Sequence, residues 1–345
     1  MRAIILVGGE GRRLRPLTDT RPKPMMPLVD RPFVAHQLDL LRRHGIRDVI
    51  FSCGYRPDAL RDHFGDGAAF GMRLRYVVDP QPLGTAGAVA NAIDLLDDDP
   101  VLVLNGDILT DLDLTSMITR HRDLGAHGTI ALTPVEDPSA FGLVRLRPGD
   151  AVEEFVEKPR GDQLRPGEPF RINAGTYVLE RELIEMIPRG VACSIEREIF
   201  PAAAEAGHLF GYPSGSYWRD IGTPASYLAA SHDVLAGRIE TDAPADGAYV
   251  GPSVRLGRRA QVDELSCLGA AAAVGYGARI ETSVVGSRAL VGEGACLSGA
   301  IVGARVSIGA GASIEEGAVI GDGASIGAGV RIDGRAPVPT GARVE

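Results

Sequence analysis

Only two lysines, Lys23 and Lys158, stand among 34 arginines in the 345 residues. Arginine has taken nearly every generic cationic position, so a retained lysine marks a place where a compact ammonium on a flexible stem is needed, as against a phosphate oxygen. Lys23 follows a glycine-rich turn, Gly8-Gly9-Glu10-Gly11-Arg12-Arg13, that opens after the apolar run Ala3 to Val7. Backbone N–H groups in such a turn approach a polyphosphate closely, and Arg13 and Lys23 can add charge to the cradle. Lys158 lies in Glu157-Lys158-Pro159, ahead of Asn173-Ala174-Gly175. A phosphate wants a cation, and neutral or anionic side chains can bond hydroxyls. Asp107 follows the apolar run Val101 to Leu104, and Asp220 lies in Trp218-Arg219-Asp220-Ile221-Gly222-Thr223-Pro224 with the only tryptophan. A carboxylate at the end of a central strand can hold magnesium against phosphate oxygens.

Other chemistries are excluded or weakened. Neither lysine follows a glycine, so there is no Walker A loop and no P-loop kinase or ATPase. Leu14 takes the third glycine position of a dinucleotide fingerprint, and Pro16 and Pro22 break the stretch that a dehydrogenase would need as helix. A formal charge of −9 argues against nucleic acid or an anionic membrane as partner. Cys53, Cys193, Cys267 and Cys296 form no C-x-x-C pair, so the plain expectation is reduced thiols in a cytoplasmic protein. The first apolar run is too short for a signal peptide and no later stretch approaches a membrane span. The histidines show no ligand spacing, His36 and His44 read as partly exposed helix residues, and Ser194 lacks a nucleophile-elbow context.

Two kinds of element must position these groups. Up to about residue 240, strands are expected at Ala3 to Val7, Asp48 to Cys53, Leu74 to Val78 and Val101 to Asn105. Helices at Phe33 to His44, Pro57 to Phe64 and Ala86 to Leu96 alternate with them. The alternation predicts an α/β, Rossmann-like, mostly parallel sheet. Strands near Gly142 to Arg147, Val152 to Val156 and Ile172 to Leu179 add a mixed region. Thr223 as N-cap and Pro224 at the first helical position begin a last helix that ends at Gly237. The Thr241 to Gly247 stretch then reads as a linker. Beyond it, branched aliphatics recur every six residues from Val250 to Ile280, from Val285 to Leu297 and from Val302 to Val338. Six residues per flat face with glycine near the corner describe a parallel β-helix of triangular section, about five coils tall. The expected domains are therefore 1–240, catalytic, and 248–345, the β-helix.

The segment Leu6 to Pro27 resembles the signature of the sugar-1-phosphate nucleotidyltransferases, commonly G-G-x-G-T/S-R-L-x-P-L-T followed by P-K-P. It matches at Gly8, Gly9, Gly11, Arg13, Leu14, Pro16 to Thr18 and Pro22 to Pro24, and departs at Arg12, where a small hydroxyl residue is usual. The later motifs follow in family order up to Gly237, and the hexapeptide spacing resembles the left-handed β-helix domains. The resemblance implies nucleotide binding by Leu6, Gly8, Gly9, Gly11, Arg13, Lys23, Gln81, Gly84 and Thr85. The loop Leu83-Gly84-Thr85-Ala86-Gly87 is closest to the base-recognition loop of guanylyltransferases acting on mannose 1-phosphate. Sugar-phosphate binding is implied for Gly142, Glu157, Lys158, Asn173 and Gly175. Catalysis is implied for Arg13, Lys23, Asp107 and Asp220, with Asp107 and Asp220 as ligands of Mg2+.

The expected reaction joins an NTP to a sugar 1-phosphate with release of pyrophosphate, GTP and mannose 1-phosphate being favoured. Thymidylyl, uridylyl or adenylyl transfer to glucose 1-phosphate or a cyclitol phosphate stands as the alternative. A noncatalytic sugar-nucleotide-sensing subunit and a hexapeptide acyltransferase are the readings of another class. The β-helix is expected to make homo-oligomer contacts.

Overall fold

The computed structural model describes residues 1–54, 57–165, 167–243 and 247–345, so residues 244–246 of the expected linker lie outside it. In chain order the first strands and helices are β1 (Ala3–Leu6), β2 (Pro27–Leu28), β3 (Arg31–Pro32), α1 (Phe33–Arg43), β4 (Asp48–Cys53), α2 (Pro57–Phe64) and β5 (Arg73–Val78). There follow α3 (Gly84–Asn91), β6 (Val101–Asn105), β7 (Ile108–Thr110), α4 (Leu114–Leu124), β8 (Gly128–Pro134), β9 (Gly142–Leu146), β10 (Val152–Glu157) and β11 (Arg171–Leu179). Next come α5 (Arg181–Glu185), α6 (Phe200–Glu205), β12 (Leu209–Pro213), β13 (Trp218–Asp220) and α7 (Pro224–Leu235). By packing, the chain forms two compact units, each drawing on separate stretches: Met1–Gly9 with Leu38–Trp218, and Glu10–Gln37 with Arg219–Glu345.

The first unit is built on one sheet, with strand order β10-β9-β11-β6-β1-β4-β5, with β8 also paired to β11 and β12 paired to β8. Strands β6, β1, β4 and β5 run parallel, as the alternation of strand and helix requires. Ile4, Ile50 and Val103 share one row of the sheet and are fully buried. That is why these strands read as unbroken apolar runs rather than alternating ones. Strand β11 turns the sheet antiparallel against β6, β8 and β9. The expected helix over Ala86 to Leu96 is two pieces, α3 and a 3-10 turn at Ile93–Leu95.

The second unit carries the β-helix. Val250, Leu268, Val285, Val302 and Ile320 stack in register on one face, with Val338 bridging to Ile320. Leu256, Val274, Val291, Ile308 and Ile326 stack on the second, and Val344 adds a further anchor beyond the repeat seen in the sequence. Val262, Ile280, Leu297, Ile314 and Ile332 form the third. Coil spacing explains the glycine that follows the stacked anchors of the first two faces from Val250 to Ile326. A Cβ on Gly292 would stand 2.6 Å from the Ala310 amide nitrogen of the next coil.

The first face is buried on its outer side as well, at Cys267, Val284, Ile301 and Val319, whereas Leu290 on the second face is exposed. Residues 10–37 and α7 lie over that side. Ala270 N donates to Asp30 at 3.1 Å, Thr340 Oγ1 to Asp19 at 3.2 Å, and His232 Nε2 to the Thr282 carbonyl at 3.0 Å. Helix α7 begins as expected, with the Thr223 hydroxyl accepting from Ser226 N at 3.2 Å. His36 departs from expectation. It is buried, with Nε2 donating to the Leu28 carbonyl at 3.1 Å and Nδ1 accepting from the Thr241 hydroxyl at 2.9 Å. Its polar atoms find partners inside, so burial costs it little.

The stacked interior sets the first expectation. Leu297 is 1% exposed and Leu290 49% exposed. Leu297→Ala should cost about 2–5 kcal/mol through lost transfer energy and a residual cavity. Leu290→Ala should stay within about 0.5 kcal/mol. Urea midpoints of the two variants check this, and equal shifts would contradict the inward register.

Candidate active site

Parallel neighbours β1, β4 and β6 bring their carboxyl ends to one edge of the first unit's sheet. Leu6 stands opposite both Ser52 and Asn105. Gly8, Gly9 and Asp107 leave the sheet at that edge, where ligands of open α/β sheets bind. The approach is tight, since Gly106 N donates to the Leu6 carbonyl at 2.9 Å.

Antiparallel β11 carries Asn173 and Gly175 to the same edge. Asn173 Nδ2 donates to the buried Tyr177 hydroxyl at 2.9 Å, and Asn173 Oδ1 accepts from Gly175 N at 2.8 Å. Gly142 pairs with Glu157 across β9 and β10. A Cβ at Gly142 would lie 2.6 Å from the Phe155 ring, so this glycine has a packing reason of its own. Lys158 N donates to the Phe141 carbonyl at 2.9 Å, and Lys158 sits in the left-handed region at φ 52. A non-glycine residue there is strained, and such strain collects where a side chain must be aimed. Trp218 closes the group, its ring edge-on to Phe141 at 5.4 Å and its Nε1 donating to the Ala174 carbonyl at 2.9 Å. Gly142, Glu157, Lys158, Asn173 and Gly175 thus form one cluster.

Sequence reasoning missed Glu196 at this cluster. Its carboxylate accepts from Thr85 Oγ1 at 2.7 Å and Ser194 Oγ at 2.8 Å, and Thr85 Oγ1 accepts from Ile195 N at 2.9 Å. The Thr85 hydroxyl is therefore engaged inside the protein, fixing the start of α3. The Cys193 carbonyl accepts from Ala86 N at 3.0 Å beside it. Gln81 is exposed at the mouth of this loop and Gly84 is exposed at its turn. Burial raises the Glu157 carboxyl above the usual range and the Glu196 charge raises it further, with Lys158 and Arg197 pulling the other way. Nothing local in Ser194-Ile195-Glu196 marks that role; it arises from contacts made 111 residues away.

The remaining groups lie in the second unit. Gly11, at φ 64, fits under Thr18 and Lys23, and a Cβ there would meet Thr18 Cγ2 at 3.0 Å and Lys23 Cβ at 3.1 Å. The Thr18 hydroxyl donates to the Gly11 carbonyl at 2.9 Å. The turn therefore folds back onto the lysine that follows it. Arg13 and Asp220 flank one glycine: a Cβ on Gly222 would lie 2.8 Å from Arg13 Nη2 and 2.9 Å from Asp220 Oδ2. Arg219 next to Asp220 is held by the buried Asp233 of α7 at 2.6 Å. Arg12, the departure from the signature, has its charge met by Glu10 at 2.6 Å, both being exposed.

A family model described as Nucleotidyl transferase matches residues 2–237. The chain belongs to the nucleotidyl transferase family. A second, described as the GMPPB C-terminal domain, matches residues 245–341. A mannose-1-phosphate guanylyltransferase of Mycobacterium tuberculosis is 40% identical over 296 residues, covering 82% of this chain and 79% of its own length. A mannose-1-phosphate guanyltransferase of Schizosaccharomyces pombe is 36% identical, covering 75% of this chain and 73% of its own. Among solved structures, HddC from Yersinia pseudotuberculosis matches 67% of this chain and 97% of its own with TM-score 0.58 and 28% identity. HddC has also been solved with GMP-PN.

In this nucleotidyl transferase the crowding of Glu157 and Glu196 has a measurable sign. A carboxyl whose folded pKa lies above its unfolded value keeps its proton longer in the folded state, so stability falls as pH rises through that interval. Glu157→Gln removes the titration. The variant should melt above the parent near neutral pH, and the gap should close below the ordinary carboxylate range, about pH 4. Melting curves across this range test the assignment; a glutamine variant that melts lower at neutral pH would contradict it.

Proposed function

We propose that this protein joins GTP to mannose 1-phosphate, giving GDP-mannose and pyrophosphate. The carrying observation is that its only two lysines fall in the two motif clusters, Lys23 against the glycine turn and Lys158 at the sugar-side edge. The names of the relatives support the substrate pair. A nonbridging oxygen of the sugar phosphate attacks the α-phosphorus, the bond to the bridging oxygen breaks, and pyrophosphate leaves. The attacker is already ionised near neutral pH, so no base and no covalent intermediate are needed. Catalysis then reduces to positioning and charge compensation. Arg13 and Lys23 offset charge growing on the leaving pyrophosphate, and Lys158 aligns the attacker. Leu6, Gly8, Gly9 and Gly11 present backbone to the triphosphate; Gln81, Gly84 and Thr85 bound the base; Gly142, Glu157, Asn173 and Gly175 meet the sugar.

Among the described residues there is no cluster of three or more His, Cys, Asp or Glu side chains suited to a metal. That fits an ion bound by one or two carboxylates together with substrate phosphates, which is how Mg2+ is usually held. Asp107 and Asp220 supply hard oxygen donors of that kind, and a bound Mg2+ would neutralise phosphate charge. The division of labour we propose is catalysis by residues 1–240 and assembly by the β-helix of residues 248–345, in the cytoplasm, where four unpaired thiols persist. No helix among the described residues is long and apolar enough to cross a membrane. An acyltransferase reading of the β-helix lacks its usual histidine base, since no histidine follows His232.

Pyrophosphate release from a panel of NTPs and sugar 1-phosphates tests the substrates. GTP with mannose 1-phosphate should be the fastest pair, and its appearance among the slowest would overturn the pair while leaving the reaction class. Asp220→Asn should lower turnover by about two to three orders of magnitude with circular dichroism unchanged. Near-normal turnover at limiting magnesium would refute its role. For assembly, Leu256 and Leu290 leave apolar surface on the coils. Light scattering should give a mass above one chain, and a monomer mass would end the proposal.

A further inference from the structure

Lys23 stands in a stretch that two carboxylates moor to the β-helix. Asp322 is 4% exposed and belongs to the turn that follows the Val319–Ile320 strand. Its Oδ2 accepts from the Thr20 hydroxyl at 2.7 Å and from the Arg21 guanidinium, and its Oδ1 accepts from Ala304 N at 2.9 Å. In the preceding coils the same turn position holds Pro252, Ala270, Ser287 and Ala304. The coil itself therefore has no need of an acid there. At the other end, Asp30 reaches from the β2–β3 hairpin to the Ala270 amide at 3.1 Å and the Tyr249 hydroxyl at 3.5 Å. Val29 and Asp30 at the hairpin tip both adopt positive φ, 48° and 59°. For a β-branched residue that is a strained conformation, held only where the surroundings over-determine it.

An ion pair with a buried partner, such as Arg21 with Asp322, is poor evidence for added stability, and its best-attested use is to fix register. What it would register is close by, since Arg21 is two residues from Lys23. We propose that Asp322 and Arg21 are positioning residues for Lys23, with Asp30 as the second mooring, so that the β-helix sets the geometry in which the triphosphate is held. This rests on the nucleotidyl-transfer reading of Lys23. An ammonium on a four-carbon stem is effective only from a fixed base, because misplacement by about 1 Å can cost on the order of a hundredfold in rate.

The test uses full-length Asp322→Asn, Arg21→Gln, the double variant and the milder Arg21→Lys. Two readouts are taken: steady-state kinetics with GTP and mannose 1-phosphate, and amide hydrogen exchange. Asp322→Asn and Arg21→Gln should each lower kcat/KM for GTP tenfold or more, with KM for mannose 1-phosphate within twofold of the parent. The double variant should be no worse than the weaker single, and Arg21→Lys should recover part of the loss. Exchange should quicken over residues 11–26 and stay unchanged in the coils from Gly257 to Gly292. An unchanged kcat/KM for GTP, equal losses for both substrates, or exchange that quickens throughout the coils would overturn the proposal. If the parent turned over no NTP at all, the nucleotidyl-transfer reading would fail, and exchange over residues 11–26 would still decide whether the mooring holds that stretch.

Discussion

The packing of residues 10–37 onto one face of the β-helix is the contact on which the second unit depends. That face is apolar on both sides, its inner anchors filling the coil and its outer residues Cys267, Val284, Ile301 and Val319 buried. A stretch laid over such a surface removes it from water, the dominant favourable term in folding. The polar groups at its margins are then forced to pair. Asp30 and Asp322 do so with backbone amides and an arginine instead of with water, and Tyr227 donates its hydroxyl to the Pro27 carbonyl. The stretch that carries Lys23 thus rests on the stacked coils.

The first unit uses a different device. Here the sheet itself is the frame, and the positions of Asp107, Asn173 and Lys158 follow from where strands end. Parallel register between β1 and β6 makes Leu6 and Asn105 neighbours, and the antiparallel return of β11 brings Asn173 back to that edge. Local costs gather in the same place: Lys158 at positive φ, and Glu157 half-buried beside Glu196. Elsewhere the unit pairs its charges well, as where Asp48 takes Arg2, Arg73 and Arg75 at 2.6–2.9 Å. Perturbed carboxyls and backbone strain of this kind cluster at functional sites.

The two lysines illustrate how one residue type is supported in two ways. Lys158 is aimed by the end of a strand pair, through the hydrogen bond from its own amide to Phe141. Lys23 opens a 3-10 turn, Lys23–Met25, after Pro22, and Gly11 packs beneath it. Arginine serves in the pairs with Asp233 and Asp322, which are buried and demand directional donors.

Much of this could be read from residue order because the relevant physics is local. The six-residue period placed all sixteen anchors from Val250 to Val338 on their faces, since each coil repeats one interaction with the next. Thr223-Pro224 announced α7, and the apolar runs announced β1, β4, β5 and β6. The strand Gly128–Pro134, buried along nearly all its length between β11 and β12, carried no comparable sign, because its pairing partners lie at Arg171–Leu179 and Leu209–Pro213. Motif order singled out the glycine turn, the lysines and the aspartates as candidates, but not Glu196, which is placed by meeting Thr85. Nor did any local pattern tell that residues 10–37 pack with the coils, or that Asp322 is more than a solvated turn acid. The sequence by itself determined the candidates for the chemistry and the period of the scaffold, because side-chain type and short-range repetition are written in it. Only the tertiary structure decided what holds those residues still, because contacts spanning about three hundred positions depend on which buried surfaces meet.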